Sequence, residues 1–86
     1  MSYITIRVPR DTIYVNSIPY TIAARTGKDT VKIDIDYIVK DARLSQRSLR
    51  KVEQYFNNVY NGNPESVRLT PKEVTVVDRV LENLHL

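Results

Sequence analysis

Residues 70–84 read TPKEVTVVDRVLENL, and this stretch predicts a helix with a sharply defined start. Thr70 suits the N-cap position and Pro71 the first helical position, since proline lacks an N–H that the first turn would leave unpaired. Glu73 completes a capping box with Thr70. Apolar residues then recur at helical spacing on one side, which another element must cover. They are Val74, Val77, Leu81 and Leu84, widened by Val76 and Val80.

A second helix is predicted upstream of the first. Ser45 is a suitable N-cap, and Gly62 stands where a glycine commonly ends a helix in the left-handed conformation. Between them, apolar residues return every three or four positions, as on the buried side of an amphipathic helix. This side consists of Leu49, Val52, Phe56 and Val59, with Tyr60 beside them.

The first 36 residues alternate apolar and polar positions, which is typical of half-buried strands. Asn16 and Ser17 have the spacing of a two-residue hairpin turn, and residues 26–29 form the next predicted turn. For residues 36–44 the pattern leaves strand and short helix open. Four strands are predicted, with apolar positions at Ile4, Ile6 and Val8, at Ile13 and Val15, at Ile18, Tyr20 and Ile22, and at Val31, Ile33 and Ile35.

Strands followed by helices indicate an α+β fold instead of a parallel α/β fold. We expect a small, mostly antiparallel sheet of about four N-terminal strands, with two C-terminal helices packed on one face. Residues 1–86 are predicted to form a single domain, with a β-rich half over 1–36 and a two-helix half over 45–86.

Composition narrows the class of protein. The chain has no cysteine, which excludes disulfides and cysteine-ligated zinc. It shows no signal-peptide pattern and no apolar run of about 20 residues, so we expect a cytoplasmic protein that does not span a membrane.

The residues also suggest no catalytic centre. The one histidine, His85, stands next to the C-terminal residue. Asp34 and Asp36 would share one face of the fourth strand, where two carboxylates could bind a hard cation, but a solvated polar face explains them more simply. We therefore expect a protein that is not an enzyme and that needs no metal or cofactor.

Positive charge is concentrated in one short segment. Residues 40–51 hold five of the 13 cations and one of the ten carboxylates, so the rest of the chain is nearly neutral. On a helical wheel these cations lie opposite the apolar side, together with amide side chains. The predicted binding face consists of Arg43, Arg47, Arg50, Lys51, Gln54 and Asn58.

This face predicts a nucleic-acid-binding regulatory protein, such as a DNA-binding regulator of transcription. Arginine and lysine neutralise phosphates, and glutamine and asparagine can pair with adenine edges. The pattern leaves DNA and RNA open. A helix–turn–helix motif is not expected, because residues 61–69 are too long for its turn of three or four residues.

The alternative is a protein–protein interaction module that inhibits or adapts a larger partner, as small regulators encoded by viruses and phages do. The basic face would then dock on an acidic protein surface. The wide apolar side of the last helix also predicts a homodimer or partner interface, because soluble proteins rarely leave such a surface open. The competing interpretation is a monomer with this side buried internally. The predicted interface consists of Val76, Val80, Leu81 and Leu84.

Overall fold

The structure, a computed structural model, describes residues 2–8, 12–62 and 66–85. It has an α+β fold, as predicted. In chain order the elements are β1 (Tyr3–Arg7), a 3₁₀ turn (Thr12–Tyr14), α1 (Ile18–Thr26), β2 (Thr30–Asp34), α2 (Ile35–Ile38), α3 (Gln46–Asn61) and α4 (Pro71–Leu84).

The sheet joins the first and last of the four predicted strands. β1 and β2 pair antiparallel, with Ile4 opposite Ile33 and Ile6 opposite Val31. All four of these side chains are buried, while the residues between them mostly face solvent. The predicted alternation is therefore confirmed for these two strands.

The second and third predicted strands are wrong, so the described residues form two strands instead of about four. The former is the 3₁₀ turn and the latter is α1, and there is no hairpin turn at Asn16 and Ser17. Ser17 instead caps α1, since its Oγ accepts a hydrogen bond from the N–H of Tyr20 at 3.3 Å. Pro19 lies in the first turn of α1, and Gly27 ends the helix in the left-handed conformation.

Residues 36–44, for which the sequence pattern left both strand and short helix open, begin in a short helix. Asp34 caps α2 by accepting hydrogen bonds from the N–H groups of Asp36 and Tyr37. Asp34 and Asp36 therefore do not share a strand face, and that expectation is wrong. The chain then turns toward α3 through Asp41 and Arg43, whose φ angles are 64° and 44°.

Both long helices begin at the predicted residues. Ser45 accepts from the N–H of Ser48 at 3.2 Å, and Gly62 follows α3 in the left-handed conformation. Thr70 and Glu73 form the predicted capping box at the start of α4. Within the described residues, no helix is long and apolar enough to cross a membrane.

Most of the apolar side of α4 is covered within the chain, although Val74, predicted on that side, is 42% exposed. Val76, Val80 and Leu84 are buried in the same core as β1, β2 and α3, and Leu81 packs against that core while partly exposed. Three of the four residues predicted to form an interface are thus inaccessible to a second copy. A homodimer remains a prediction, but these three residues cannot supply its contact surface in the folded chain.

Candidate nucleic-acid interface

Side chains on one side of α3 form hydrogen bonds with the backbone of β1, along the edge that does not pair with β2. Glu53, Asn57 and Asn61 follow one another at four-residue spacing and therefore form a row along the helix. Glu53 Oε2 accepts from the N–H of Thr5 at 2.8 Å, and Asn57 Oδ1 accepts from the N–H of Arg7 at 2.7 Å. Asn57 Nδ2 donates to the carbonyl of Thr5 at 2.9 Å, and Asn61 Nδ2 donates to that of Arg7 at 2.7 Å. These side chains take the place of a third strand.

The other side of α3 is joined to the start of α4. Lys51 Nζ donates to Glu73 Oε1 at 2.9 Å, and the N–H of Thr70 donates to the same oxygen at 2.8 Å. Glu73 is only 3% exposed. The hydrogen bond from the Thr70 backbone, followed by those from the Lys51 and Ser48 side chains, lowers the pKa of Glu73 to about 2. Lys51, which the wheel assigned to the binding face, therefore neutralises a buried carboxylate.

Between these two sides, an arc of α3 faces solvent; outside it Val59, predicted on the buried side, is 36% exposed. On a helical wheel the arc from Arg50 to Asn58 spans about 80°. Arg47, Arg50 and Gln54 are exposed, whereas Lys51 and Asn58 are partly buried. Arg43 is exposed in the segment before the helix. The predicted residues are thus unequally exposed, and the groove described below brings together Arg47, Lys51 and Gln54.

The exposed arginines lack acidic partners in the described part of the chain. The ion pair found there joins Lys51 to Glu73, and none involves Arg43, Arg47 or Arg50. Their charges are consequently available to an anion from outside.

A groove beside α3 extends the basic face. It has a volume of about 550 Å³, and its second wall is the segment 66–70 that leads into α4. Three cations line it, and none of its lining residues within the described ranges carries a carboxylate. The lining residues are Arg47, Lys51, Gln54, Ser66, Val67, Arg68, Leu69 and Thr70.

Arg68 and Ser66 were missed by the sequence reasoning. Arg68 is exposed, and within the described residues it forms no ion pair. It lies far along the chain from the cation-rich segment 40–51, so a local count of charge does not include it. The one available signal was its position just before the N-cap Thr70, since packing of α4 beside α3 brings that end of the chain to the basic face.

A smaller cavity of about 280 Å³ lies between α1, Val8 and the turn at residues 27–29. Its charged lining residues are Lys28 and Asp29, which have opposite signs, so it lacks the one-sided charge of the groove.

Comparison with protein-family models, curated proteins and solved structures found no match for this chain. The functional argument therefore depends on the residues themselves.

Proposed function

We propose that this protein is a non-catalytic regulatory protein that binds nucleic acid through the exposed face of α3. The supporting observation is that Arg47 and Arg50 are exposed on this face together with Gln54, without an acidic partner in the described residues; Arg43, exposed in the preceding segment, also has none there. A phosphate backbone would supply the missing negative charge. Binding would also be favoured by the release of counterions from the nucleic acid.

An ordinary solvated helix surface does not account for this pattern. Such surfaces commonly pair glutamate with lysine or arginine four residues apart. The one glutamate of α3, Glu53, instead accepts from the backbone of β1. Arg47 also lies in the first turn, where the helix dipole disfavours a cation. A bound anion would supply the missing negative partner and would offset the unfavourable interaction of Arg47 with the helix dipole.

The test is a salt titration of binding, measured by fluorescence anisotropy with labelled oligonucleotides. For about three phosphate contacts, log K should fall with log[salt] with a slope of roughly −2 to −3. The double variant Arg47→Ala/Arg50→Ala should reduce this slope by about two-thirds and weaken binding correspondingly.

Arg25→Ala is the matched control for charge. Arg25 is exposed on α1, which packs against β2, whereas α3 packs against β1. If binding depended on net charge alone, Arg25→Ala would lower the affinity and the salt slope as much as each of the two substitutions in α3. The proposal would be contradicted if the protein did not bind at low salt, or if Arg25→Ala lowered the affinity as much as each substitution of the double variant does.

A protein-binding role is the second candidate, and one observation favours it. Ile13, within the 3₁₀ turn, and Val15, just after it, are 73% and 48% exposed. Apolar side chains exposed together are often covered by a protein partner. Pull-down from nuclease-treated extract separates the two roles: a partner retained by wild type and lost from both Ile13→Asp and Arg47→Glu would support this candidate.

A further inference from the structure

We infer that the groove between α3 and residues 66–70 holds the sugar–phosphate backbone of one strand, so that the protein prefers single-stranded nucleic acid to duplex. This inference rests on the proposed function and specifies its ligand. It is based on the placement of Arg47 on one wall of the groove and Arg68 on the other.

The surroundings of α3 argue against its entering a duplex. A helix with its side chains is about 10–12 Å across, and the major groove is about 12 Å wide, so an inserted helix must stand clear of its neighbours. α3 does not stand clear. Asn57 holds β1 against one side of it, and Lys51 joins α4 to the other. These elements would collide with the two backbones that border a major groove.

The groove, in contrast, suits a single phosphate chain. It is concave, and its lining residues combine three cations with the uncharged polar residues Gln54, Ser66 and Thr70. Lys51 is engaged by Glu73, which leaves Arg47 and Arg68 for the ligand. Guanidinium groups bind phosphate oxygens in a bidentate manner, and two of them on facing walls can hold the same phosphate.

The groove also predicts little dependence on base sequence. Its apolar lining residues, Val67 and Leu69, are aliphatic, and no aromatic ring is found among the lining residues that the structure describes. Recognition by aromatic stacking is therefore not available there, and phosphate contacts would dominate the affinity.

The experiment compares a labelled single strand of about 12 nucleotides with a hairpin duplex of the same sequence, at equal salt. We expect the single strand to bind about ten-fold tighter, and Arg68→Ala to weaken its binding by about ten-fold, the loss typical of one charge-assisted contact. Duplex binding should change less than about two-fold in Arg68→Ala. Arg25→Ala is again the control, and circular dichroism verifies that each variant is folded.

A double-mutant cycle tests whether the two walls hold one phosphate. If they do, Arg47→Ala combined with Arg68→Ala should weaken binding by less than the product of the single effects. Duplex binding as tight as single-strand binding would overturn the inference. The inference would also be overturned if Arg68→Ala left the single-strand affinity unchanged while Arg50→Ala lowered it. That outcome would leave the proposed function standing. Failure of the wild type to bind either oligonucleotide would overturn both.

Discussion

The ammonium group of Lys51 lies 2.9 Å from the buried carboxylate of Glu73, and this ion pair joins the middle of α3 to the first turn of α4. The carboxylate also receives the N–H of Thr70, which completes the capping box. A buried carboxylate is costly unless it is paired and hydrogen-bonded. The contact therefore fixes the position of α4 relative to α3, and with it the second wall of the groove.

The first prediction concerns acid. The pKa of Glu73 is lowered from 4.5 to about 2, so its stabilising contribution is fully present above about pH 5 and is lost as the pH falls through about 2. We expect this group to account for a decrease of up to about 3 kcal/mol in the free energy of unfolding between about pH 5 and pH 2. Urea unfolding followed by circular dichroism at several pH values measures it.

Glu73→Gln provides the control for this pH dependence. It keeps the shape of the side chain but removes the charge, so the variant should be less stable at neutral pH and should lose less stability on acidification. All other side chains are the same in the two proteins, so their contributions cancel in the comparison. Equal pH dependence of variant and wild type would show that Glu73 is not responsible.

The second prediction separates Lys51 from Arg47. Lys51→Ala leaves the Glu73 carboxylate without its charged partner, and because Lys51 is partly exposed we expect a loss of about 1–3 kcal/mol in stability. Arg47→Ala should change stability by less than about 0.5 kcal/mol, because the side chain is exposed. Nucleic-acid affinity, measured by anisotropy on the folded proteins, should respond more strongly to Arg47→Ala. The opposite ranking of the two variants would contradict these assignments.

The third prediction concerns the edge of β1. Asn57→Ala removes the side chain that accepts from Arg7 and donates to Thr5, and we expect a loss of about 1–3 kcal/mol. It also uncovers backbone groups that can pair with another chain, so light scattering should reveal more aggregation. Asn83→Ala is the matched control, because Asn83 is exposed and donates to Arg79 within α4. Similar losses in the two variants would argue against a special role for Asn57.

The long helices could be predicted because two signals agree in each: α3 and α4 have a cap residue in addition to helical periodicity. β1 and β2 were predicted from alternation alone, the same pattern that predicted strands at the 3₁₀ turn and α1. The run from Ile18 to Ile22 carried conflicting signals: it alternates like a strand, yet Ser17 and Pro19 are typical of a helix start. α1 has one fully buried residue, Pro19, so its apolar pattern was too weak to decide between them.

The binding face was predictable only as far as α3 alone determines it. The wheel placed Arg47 and Arg50 on the side that faces solvent, because it uses only positions along one helix. It could not show that Lys51 pairs with a carboxylate 22 residues away, nor that Arg68 faces the same groove. Both relationships depend on how α4 packs against α3, which local periodicity does not specify.

The fourth prediction concerns a buried hydroxyl. Tyr60 is 1% exposed, and its ring centroid lies 5.0 Å from that of Tyr14. Among the described residues its hydroxyl has no hydrogen-bond partner, and burial, followed by the nearby Tyr14, raises the pKa of Tyr60. Removing an unsatisfied buried hydroxyl while keeping the ring relieves a desolvation penalty. We therefore expect Tyr60→Phe to raise the free energy of unfolding by about 1 kcal/mol, measured by urea unfolding.

Tyr14→Phe supplies the opposite case in the same ring pair. The Tyr14 hydroxyl donates to the carbonyl of Val59, so its removal should lower stability by about 1 kcal/mol. Because both substitutions delete one oxygen and leave the two rings in contact, the difference in sign isolates hydrogen bonding from packing. A Tyr60→Phe protein that is less stable than wild type would mean that the Tyr60 hydroxyl is hydrogen-bonded in solution, and the explanation for its raised pKa would then have to change.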